Sequence, residues 1–550
     1  MFSYNQNSAK RQSNEFVLLL FMGVTLAALF LPQSIVGLNI FDEGFIVSGA
    51  MLVNDGRLPY RDFLSMYGPG QYYLTAAIYR LFGEELVYVR VLHIILLTSL
   101  GFAVYLLSKR ISHSRLASLI ALFYYAAIVI YAEPHVGYPA ITATLFLVAS
   151  AFALTTWSES MHPRSLAIAS LTIGIAGLFR WDFGIFGLLA LLIAIVLHQS
   201  LERNISNRLI QLFQNINYAL VPAVIIMTVV YVFLILIKSD PVQWYKEVPL
   251  FSLTEFAKWR GIDYVKPQYW SFFRENTPTT FIVPILNLTY LAVPVSLVLG
   301  ASVVTLQYMF RPLATSDRKM RFVLTVFFSF LCLFLLNQMR VRPGLIQGFP
   351  AIVVSIPIAV LVTTYIGNST VFGKPVKVFF LISGLLAVAL IAIVKHEKWL
   401  LLVKEDSIVV DDPRYSGIHL DLKDRSYIDL VRYIHGNTKP NEAIFSGVTD
   451  HSRLFINDTV IYFLTGRPPA DRYLELEPGI SNTVHGQQTI VNSLLQKNVR
   501  LIVLVDIVGY EPNQTSKSNG VYILNDFISQ NYHLDRTFKT YGVYLKNSEQ

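Results

Sequence analysis

Long apolar runs separated by short polar connections make up most of the chain. Eleven of these runs approach the roughly 20 residues that an α-helix needs to cross about 30 Å of hydrocarbon. They fall at residues 16–36, 86–107, 115–132, 138–157, 164–180, 183–198, 218–238, 279–309, 321–338, 349–367 and 377–394. No small-residue cleavage site follows the first run, so we interpret it as an anchor and not as a cleaved signal peptide. The pattern predicts a polytopic α-helical membrane protein with about eleven transmembrane helices.

The pattern changes after residue 394, where shorter helical and strand-like segments alternate. Helices are predicted near 424–436, 484–497 and 521–530, and strands at 443–446, at 500–506 and as a closing pair near 532–546. We therefore divide the chain into a transmembrane domain, residues 1–394, and a small α/β domain, residues 395–550. Two longer connections, 37–85 and 239–278, interrupt the transmembrane domain, and the second is rich in aromatic residues that are typical of a membrane interface.

Composition supports this division. The chain is 54% hydrophobic and 15% charged, whereas an average soluble protein is about 25% charged. About 23% of residues 395–550 are charged, against about 11% of residues 1–394, and the net charge is −2 in the former and +10 in the latter. The excess of basic residues thus belongs to membrane-flanking loops, which argues against nucleic-acid binding. A single cysteine, Cys332, excludes an intrachain disulfide.

Basic residues also predict the orientation. If the N-terminus is cytoplasmic, the cytoplasmic segments carry fourteen Lys and Arg residues, whereas the short connections on the other side carry only Arg180, Arg340 and Arg342. The positive-inside rule therefore places the N-terminus in the cytoplasm. An odd number of spans then places the C-terminal domain outside the cytoplasm, and we expect a multi-pass protein of the plasma (inner) membrane.

Two adjacent carboxylates, Asp42 and Glu43, follow the first predicted span. A general base at the mouth of a membrane cavity requires such a position, although two carboxylates can also simply end a transmembrane helix on its solvated side. The pair could bind a divalent metal, but no further carboxylate cluster lies close to it in the sequence.

Arginines recur on the predicted extracytoplasmic side, at Arg57, Arg61, Arg180, Arg340 and Arg342. A lipid phosphate is a natural partner for a guanidinium at the hydrocarbon edge. The alternative is that these side chains extend toward lipid headgroups without a specific ligand. We favour phosphate binding for the closely spaced Arg340 and Arg342.

Two very short turns on the same side carry further polar residues. Arg180 and Asp182 can contact substrate or form an ion pair that caps two helices, and His135 can contact substrate or serve as a hydrogen-bonded structural histidine. The sequence lacks the HExxH, Walker A, GxSxG and paired CxxC motifs, so zinc peptidase, ATPase and serine hydrolase functions have no support.

Three features resemble the GT-C membrane glycosyltransferases, in particular the branch of protein O-mannosyltransferases and lipid A aminoarabinose transferases (glycosyltransferase family 39 and its bacterial relatives). Phe41–Gly44 (FDEG) is similar to the Asp-Glu motif of that branch, and Tyr67–Gly83 (YGPGQYYLTAAIYRLFG) looks like its proline-started interfacial helix. The third feature is the layout of many spans followed by a C-terminal domain. One departure is Pro69-Gly70, where the family commonly has two prolines.

This resemblance implies transfer of a sugar from a polyprenyl-phosphate donor to a lipid, polysaccharide or protein acceptor by one inverting displacement. Asp42 would be the general base and Glu43 would orient it or the sugar. The donor phosphate would bind Arg340 or Arg342, or else Arg57 or Arg61; Tyr67, His135, Arg180 and Asp182 are the expected substrate-binding residues. No cofactor is required by the branch. A transporter or flippase of polyprenyl-linked glycans is the alternative, and a non-catalytic membrane scaffold is a third.

Overall fold

The computed structural model describes residues 2–201, 208–262, 278–310, 315–342, 344–366, 407–409, 412–421, 425–506 and 513–547, with Ile382, Leu400 and Glu511. Before residue 400 the helices are α1 (Phe2–Ile35), α2 (Asp42–Asn54), α3 (Gly70–Phe82), α4 (Leu86–Ser112), α5 (Arg115–Ala132), α6 (Pro139–Ser160), α7 (Pro163–Phe179), α8 (Trp181–Ser200), α9 (Arg208–Tyr231), α10 (Pro241–Tyr245), α11 (Phe251–Thr254), α12 (Phe256–Arg260), α13 (Pro278–Met309), α14 (Ser316–Val341) and α15 (Leu345–Ile366). After it come α16 (Arg425–Asn437), α17 (Val460–Thr465), α18 (Val484–Gln496) and α19 (Ile523–Asn531).

Local sequence signals explain where several of these helices begin and end. The Ser114 hydroxyl accepts a hydrogen bond from the Ala117 amide and so caps the first turn of α5. Pro139 and Pro163 occupy the first turns of α6 and α7, where a missing amide hydrogen costs nothing. Gly83 follows α3 at φ 108°, a conformation that favours glycine, and it separates α3 from the helix that begins at Leu86.

Nine of the described helices are long and apolar enough to cross a membrane, and the shorter apolar α7 packs among them. Large apolar side chains such as Phe16, Leu209 and Val229 are exposed on α1 and α9, as expected for surfaces that face lipid. Ten of the predicted runs coincide with these ten helices. The eleventh predicted run, 377–394, lies outside the described residues. The prediction of a polytopic helical membrane protein is confirmed.

The membrane helices enclose one hydrophobic core. Trp157 and Phe183 are fully buried within it. Tyr125 is buried too, and its hydroxyl donates to the Leu97 carbonyl at 2.6 Å, which joins α5 to α4. The Tyr125 hydroxyl thus has a hydrogen-bond partner inside this core, as an apolar environment requires.

The C-terminal region, which we define as residues 407–547, contains two sheets. Strands β1 (Ser407–Val409) and β2 (His419–Asp421) form an antiparallel pair. Strands β3 (Phe445–Val448), β4 (Leu501–Val505), β5 (Tyr532–Phe538) and β6 (Tyr541–Lys546) form a sheet in the order β3-β4-β6-β5. The β3 and β4 strands are parallel, and the other neighbours are antiparallel. The predicted helices and strands of this region are confirmed, whereas α17, β1 and β2 were not predicted.

A second hydrophobic core joins the C-terminal region to α2 and α3. Tyr79 of α3 stacks on Phe463 of α17, with ring centroids 5.4 Å apart. The Thr459 amide donates to the carbonyl of Ile40, two residues before Asp42, at 3.0 Å. The short helices α10–α12 of the second long connection border the same core, whereas residues 263–277 of that connection lie outside the described residues. Both long connections and the C-terminal region thus meet at one end of the membrane helices.

Candidate active site

The turn before α2 fixes the position of Asp42. The Asn39 side chain accepts hydrogen bonds from the amides of Phe41 and Asp42, both at 3.0 Å. This arrangement satisfies amides that would otherwise lack a partner at the start of a helix. Thr459 holds the same turn from the C-terminal region, since its hydroxyl donates to the Phe41 carbonyl at 3.0 Å. Asp42 therefore occupies a rigid position at the beginning of α2.

Glu43 points away from Asp42 and into the protein. Its two carboxylate oxygens accept hydrogen bonds from Arg90 at 2.8 and 2.7 Å, and both side chains are at most 2% exposed. Arg90 also donates to the Gly37 carbonyl at 2.9 Å. A bidentate buried ion pair thus occupies the Glu43 carboxylate, and its role in orienting Asp42 or the sugar stays a prediction.

Asp42 instead faces His135, which the short turn after α5 brings to it. The His135 Nδ1 atom lies 2.7 Å from Asp42 Oδ2, and both side chains are partly exposed. Burial raises the pKa of Asp42, but the contact with His135 and the charges of Arg260 and Arg342 outweigh this effect and leave the pKa below its ordinary value. Asp42 is consequently an ionised carboxylate at neutral pH, the state that a general base requires.

Tyrosines and an arginine form one wall beside Asp42. Tyr67 stacks on Phe45, with ring centroids 5.3 Å apart, and meets Tyr138 edge to face. The Arg180 guanidinium lies 5.1 Å from the centre of the Tyr67 ring and forms a bidentate ion pair with Asp182 at 2.6 and 2.9 Å. The structure therefore brings the predicted residues Tyr67, Arg180 and Asp182 together, and Arg180 and Asp182 form the ion pair that was the alternative to substrate contact.

Two further cations act on Asp42 from other parts of the chain. Arg342, at the end of α14, is paired with Glu511 of the C-terminal region. Arg260, at the end of α12, is buried and binds Glu477 at 3.1 and 3.2 Å. The Arg260 guanidinium also lies over the Phe455 ring, with its central carbon 5.3 Å from the ring centroid. Positive charge from two separated segments thus converges beside one carboxylate.

The C-terminal region also contributes Glu475, whose carboxylate lies 3.9 Å from the Arg260 guanidinium. Burial and the charge of neighbouring Glu477 raise the pKa of Glu475, and Asp42 adds to this effect, whereas Arg260 opposes it. A protonated carboxyl near an ionised one can donate a hydrogen bond to a polar ligand. The site therefore holds two carboxyl groups whose pKa values are shifted in opposite directions.

The remaining predicted arginines lie elsewhere. Arg340 is exposed, donates to the Asn337 side chain at 3.1 Å and lines a separate polar cavity of about 660 Å³ with Lys258 and Lys517. Arg61 is exposed and paired with Asp62, and Arg57 lines another cavity. Arg340 and Arg342 therefore contact different partners, Asn337 and Glu511, and phosphate binding by either stays a prediction.

Asp42 and Glu43 do not form a joint metal site, because Arg90 occupies both Glu43 oxygens. Within the described ranges, no group of three or more His, Cys, Asp and Glu side chains has an arrangement that could hold a metal ion.

Two comparisons bear on the identity of this site. Residues 67–231 match the family model described as dolichyl-phosphate-mannose-protein mannosyltransferase. No curated protein matches the chain by sequence. The structure of ArnT from Cupriavidus metallidurans bound to undecaprenyl phosphate superposes with a TM-score of 0.50 at 12% identity, covering 98% of this chain and 99% of that one.

The fold is that of a GT-C glycosyltransferase. The resemblance predicted from the sequence is therefore confirmed. The archaeal oligosaccharyltransferase AglB from Archaeoglobus fulgidus, in complex with an inhibitory peptide and a dolichol-phosphate, is also similar, with a TM-score of 0.48 at 12% identity over 97% of this chain and 75% of that one.

Sequence analysis missed the residues that reach the site from distant segments. They are Arg90, Tyr138, Arg260, Glu475, Glu477 and Glu511. Arg90 was detectable in principle, since an arginine at the start of an apolar helix requires a partner. The glutamates gave no comparable signal, because charged residues are common in the C-terminal region.

Proposed function

We propose that this chain transfers a sugar from a polyprenyl-phosphate donor to an acceptor at the extracytoplasmic face of the membrane. The observation that carries the proposal is the ionised Asp42, fixed beside His135 and close to the cations Arg260 and Arg342. The matched family is named for a dolichyl-phosphate sugar donor, and the similar ArnT structure contains undecaprenyl phosphate. Both facts support a lipid-linked donor.

In the proposed reaction, an acceptor hydroxyl loses its proton to Asp42 while its oxygen forms a bond to the anomeric carbon of the sugar. The bond between that carbon and the phosphate oxygen breaks at the same time, and polyprenyl phosphate leaves with the electron pair. One displacement inverts the anomeric configuration. The positive charge near Asp42 stabilises the negative charge that grows on the phosphate.

Arg342 is the best phosphate ligand among Arg180, Arg260 and Arg342. Its side chain is 21% exposed, whereas Arg260 is 6% and Arg180 is 11% exposed. Arg260 and Arg180 are each bound bidentately by a carboxylate, which leaves them fewer free donors. Glu511 competes with a phosphate for Arg342, because both need the same guanidinium hydrogens.

The acceptor side of the reaction is assigned to the groups around Tyr67, Tyr138 and Glu475. A protonated Glu475 would donate a hydrogen bond to the acceptor, and the tyrosines would offer a flat apolar surface to a sugar or lipid. We keep lipid, polysaccharide and protein as candidate acceptors. We also propose that the N-terminus is cytoplasmic and that the protein lies in the plasma (inner) membrane, as the distribution of basic residues predicts.

The test is sugar transfer by the purified chain, with a panel of labelled polyprenyl-phosphate sugars and a crude membrane acceptor fraction. One donor should support transfer and the others should not. Arg342→Ala should weaken binding of that donor by about 1.5–3 kcal/mol, the contribution of a hydrogen bond to a charged group, while Glu511→Gln should tighten it.

Unchanged donor binding in both variants would place the phosphate elsewhere. If no donor supports transfer, movement of a labelled polyprenyl-linked glycan across proteoliposomes tests the alternative function of a transporter.

A further inference from the structure

Helix α3 has one face in the second core and an opposite face that is exposed. Tyr72 and Tyr79 are buried against α2 and the C-terminal region, whereas Leu81 is 73% and Phe82 is 59% exposed. The membrane helix α4 begins four residues after α3 ends. Phe82 packs against Tyr88 of that helix, with ring centroids 5.7 Å apart. Exposed apolar side chains beside the start of a membrane helix indicate that this part of α3 lies at the level of the lipid headgroups.

A cavity of about 450 Å³ opens between the end of α2 and the exposed side of α3. Its lining is mainly apolar and includes Val53, Tyr73 and Ala76, while Arg57 and Arg80 supply two guanidinium groups. Neither Asp42 nor any residue that contacts it lines this cavity, so it is separate from the candidate active site.

The two arginines lack an acidic partner among the residues described. Arg80 donates through Nε to the Asn54 side chain at 2.9 Å, which fixes its position and leaves its terminal nitrogens for another acceptor. Asp62 is close enough to Arg57 for the two charges to interact. However, the Asp62 carboxylate oxygens already accept hydrogen bonds from the Arg61 guanidinium and from the Leu58 amide. Two guanidinium groups beside an apolar cavity therefore match a ligand that combines an anion with a hydrocarbon chain.

We propose that this cavity binds an anionic phospholipid of the surrounding bilayer. The phosphate lies between Arg57 and Arg80, and the first methylene groups of an acyl chain lie along Val53, Tyr73 and Ala76. The planar guanidinium groups match phosphate oxygens, and the position of α3 places the cavity where phospholipid headgroups are. A bound lipid would fix α3 against α2, the helix that begins with Asp42, and so couple the candidate active site to lipid composition.

The test measures lipid binding to the full chain in neutral detergent by native mass spectrometry. The probes are phosphatidylglycerol, phosphatidylcholine with the same acyl chains, inorganic phosphate and undecaprenyl phosphate. The double variant R57Q/R80Q is compared with R432Q/R453Q, which removes two exposed arginines of the C-terminal region and changes the net charge equally. Thermal unfolding without added lipid checks that both variants are folded.

We expect wild type to prefer phosphatidylglycerol over phosphatidylcholine, and R57Q/R80Q to bind phosphatidylglycerol at least about tenfold more weakly, while the control variant binds as wild type does. R57K/R80K should retain part of the affinity, which separates loss of the anion contact from loss of structure. An equal loss in R432Q/R453Q, or no preference in wild type, would overturn the proposal. Binding of inorganic phosphate with the same dependence on the arginines, or selective loss of undecaprenyl phosphate, would also overturn it, by assigning the cavity to free phosphate or to the sugar donor.

Discussion

At the residue scale, Asp42 and Glu43 show how adjacent carboxylates acquire opposite environments. Successive residues of a helix point about 100° apart, so the first faces His135 while the second enters the protein and meets Arg90. The sequence identified the pair as candidate catalytic residues but could not predict that Glu43 enters a buried ion pair. That pair depends on Arg90, which is 47 residues away from Glu43.

The first prediction concerns the stability of the buried pair. Glu43→Gln leaves the Arg90 charge buried without compensation, so the free energy of unfolding should fall by about 3–5 kcal/mol. Glu84→Gln is the matched control, because it removes a carboxylate from the more exposed ion pair with Arg414 and should cost less than about 1 kcal/mol. Thermal unfolding in detergent compares them. Equal stability of the two variants would show that the Glu43–Arg90 pair is not a stabilising element.

The second prediction concerns pH. Asp42 accepts a proton only when it is ionised, so transfer should decline as the pH falls toward its lowered pKa. His135→Asn removes a contact that lowers this pKa, and the acid limb of the pH profile should therefore move to higher pH. The measurement is kcat/KM against pH for both proteins. An acid limb at the same pH would exclude His135 as the group that sets the ionisation of Asp42.

At the element scale, the C-terminal region fixes the start of α2. The Ser48 hydroxyl donates to the Thr459 carbonyl at 2.7 Å, and Gly44 lies directly against Thr459 and Val460. Periodicity predicted the membrane helices and most helices and strands of the C-terminal region because it reflects local burial. It could not predict this packing, because the contacts join residues more than 400 positions apart.

A third prediction follows from the close approach at Gly44. A Cβ atom there would lie 2.4 Å from Thr459 Oγ1 and from the Val460 amide nitrogen, so Gly44→Ala must shift α2. A displacement of about 1 Å can reduce catalysis by about 10²-fold. Gly436→Ala in α16 is the control, since nothing lies within 4 Å of its added Cβ. Single-turnover transfer should fall only in Gly44→Ala; undiminished transfer in that variant would show that the packing does not position Asp42.

At the scale of the whole molecule, span length and composition predicted the helical membrane fold, because the thickness of the bilayer imposes them directly. The site was predicted only in part. Asp42, His135, Tyr67, Arg180 and Arg342 are brought together at one end of the membrane helices. The second long connection adds Arg260, and the C-terminal region adds the acidic partners. These contributions depend on how distant segments pack, which no local pattern encodes.

The fourth prediction tests orientation. A reporter fused after residue 550 should be extracytoplasmic, and one inserted within 311–320 should be cytoplasmic, as the excess of basic residues between the spans predicts. Accessibility of each reporter in intact cells gives the answer. A cytoplasmic C-terminal reporter would contradict the proposed location of the reaction, because the C-terminal region shares the side on which Asp42 lies.

The central claim is that Asp42 is the general base. The most direct test measures single-turnover sugar transfer and equilibrium donor binding of the Asp42→Asn variant. Asparagine keeps the size of the side chain but cannot take the proton from the hydroxyl of the sugar acceptor. Transfer should therefore fall by roughly 10²–10⁴-fold while donor binding changes little. Asp429→Asn, on the exposed surface of α16, should transfer at the wild-type rate. Near-wild-type transfer by Asp42→Asn would remove the base from the mechanism, and a loss of donor binding equal to the loss of transfer would contradict the assignment by making Asp42 a donor ligand.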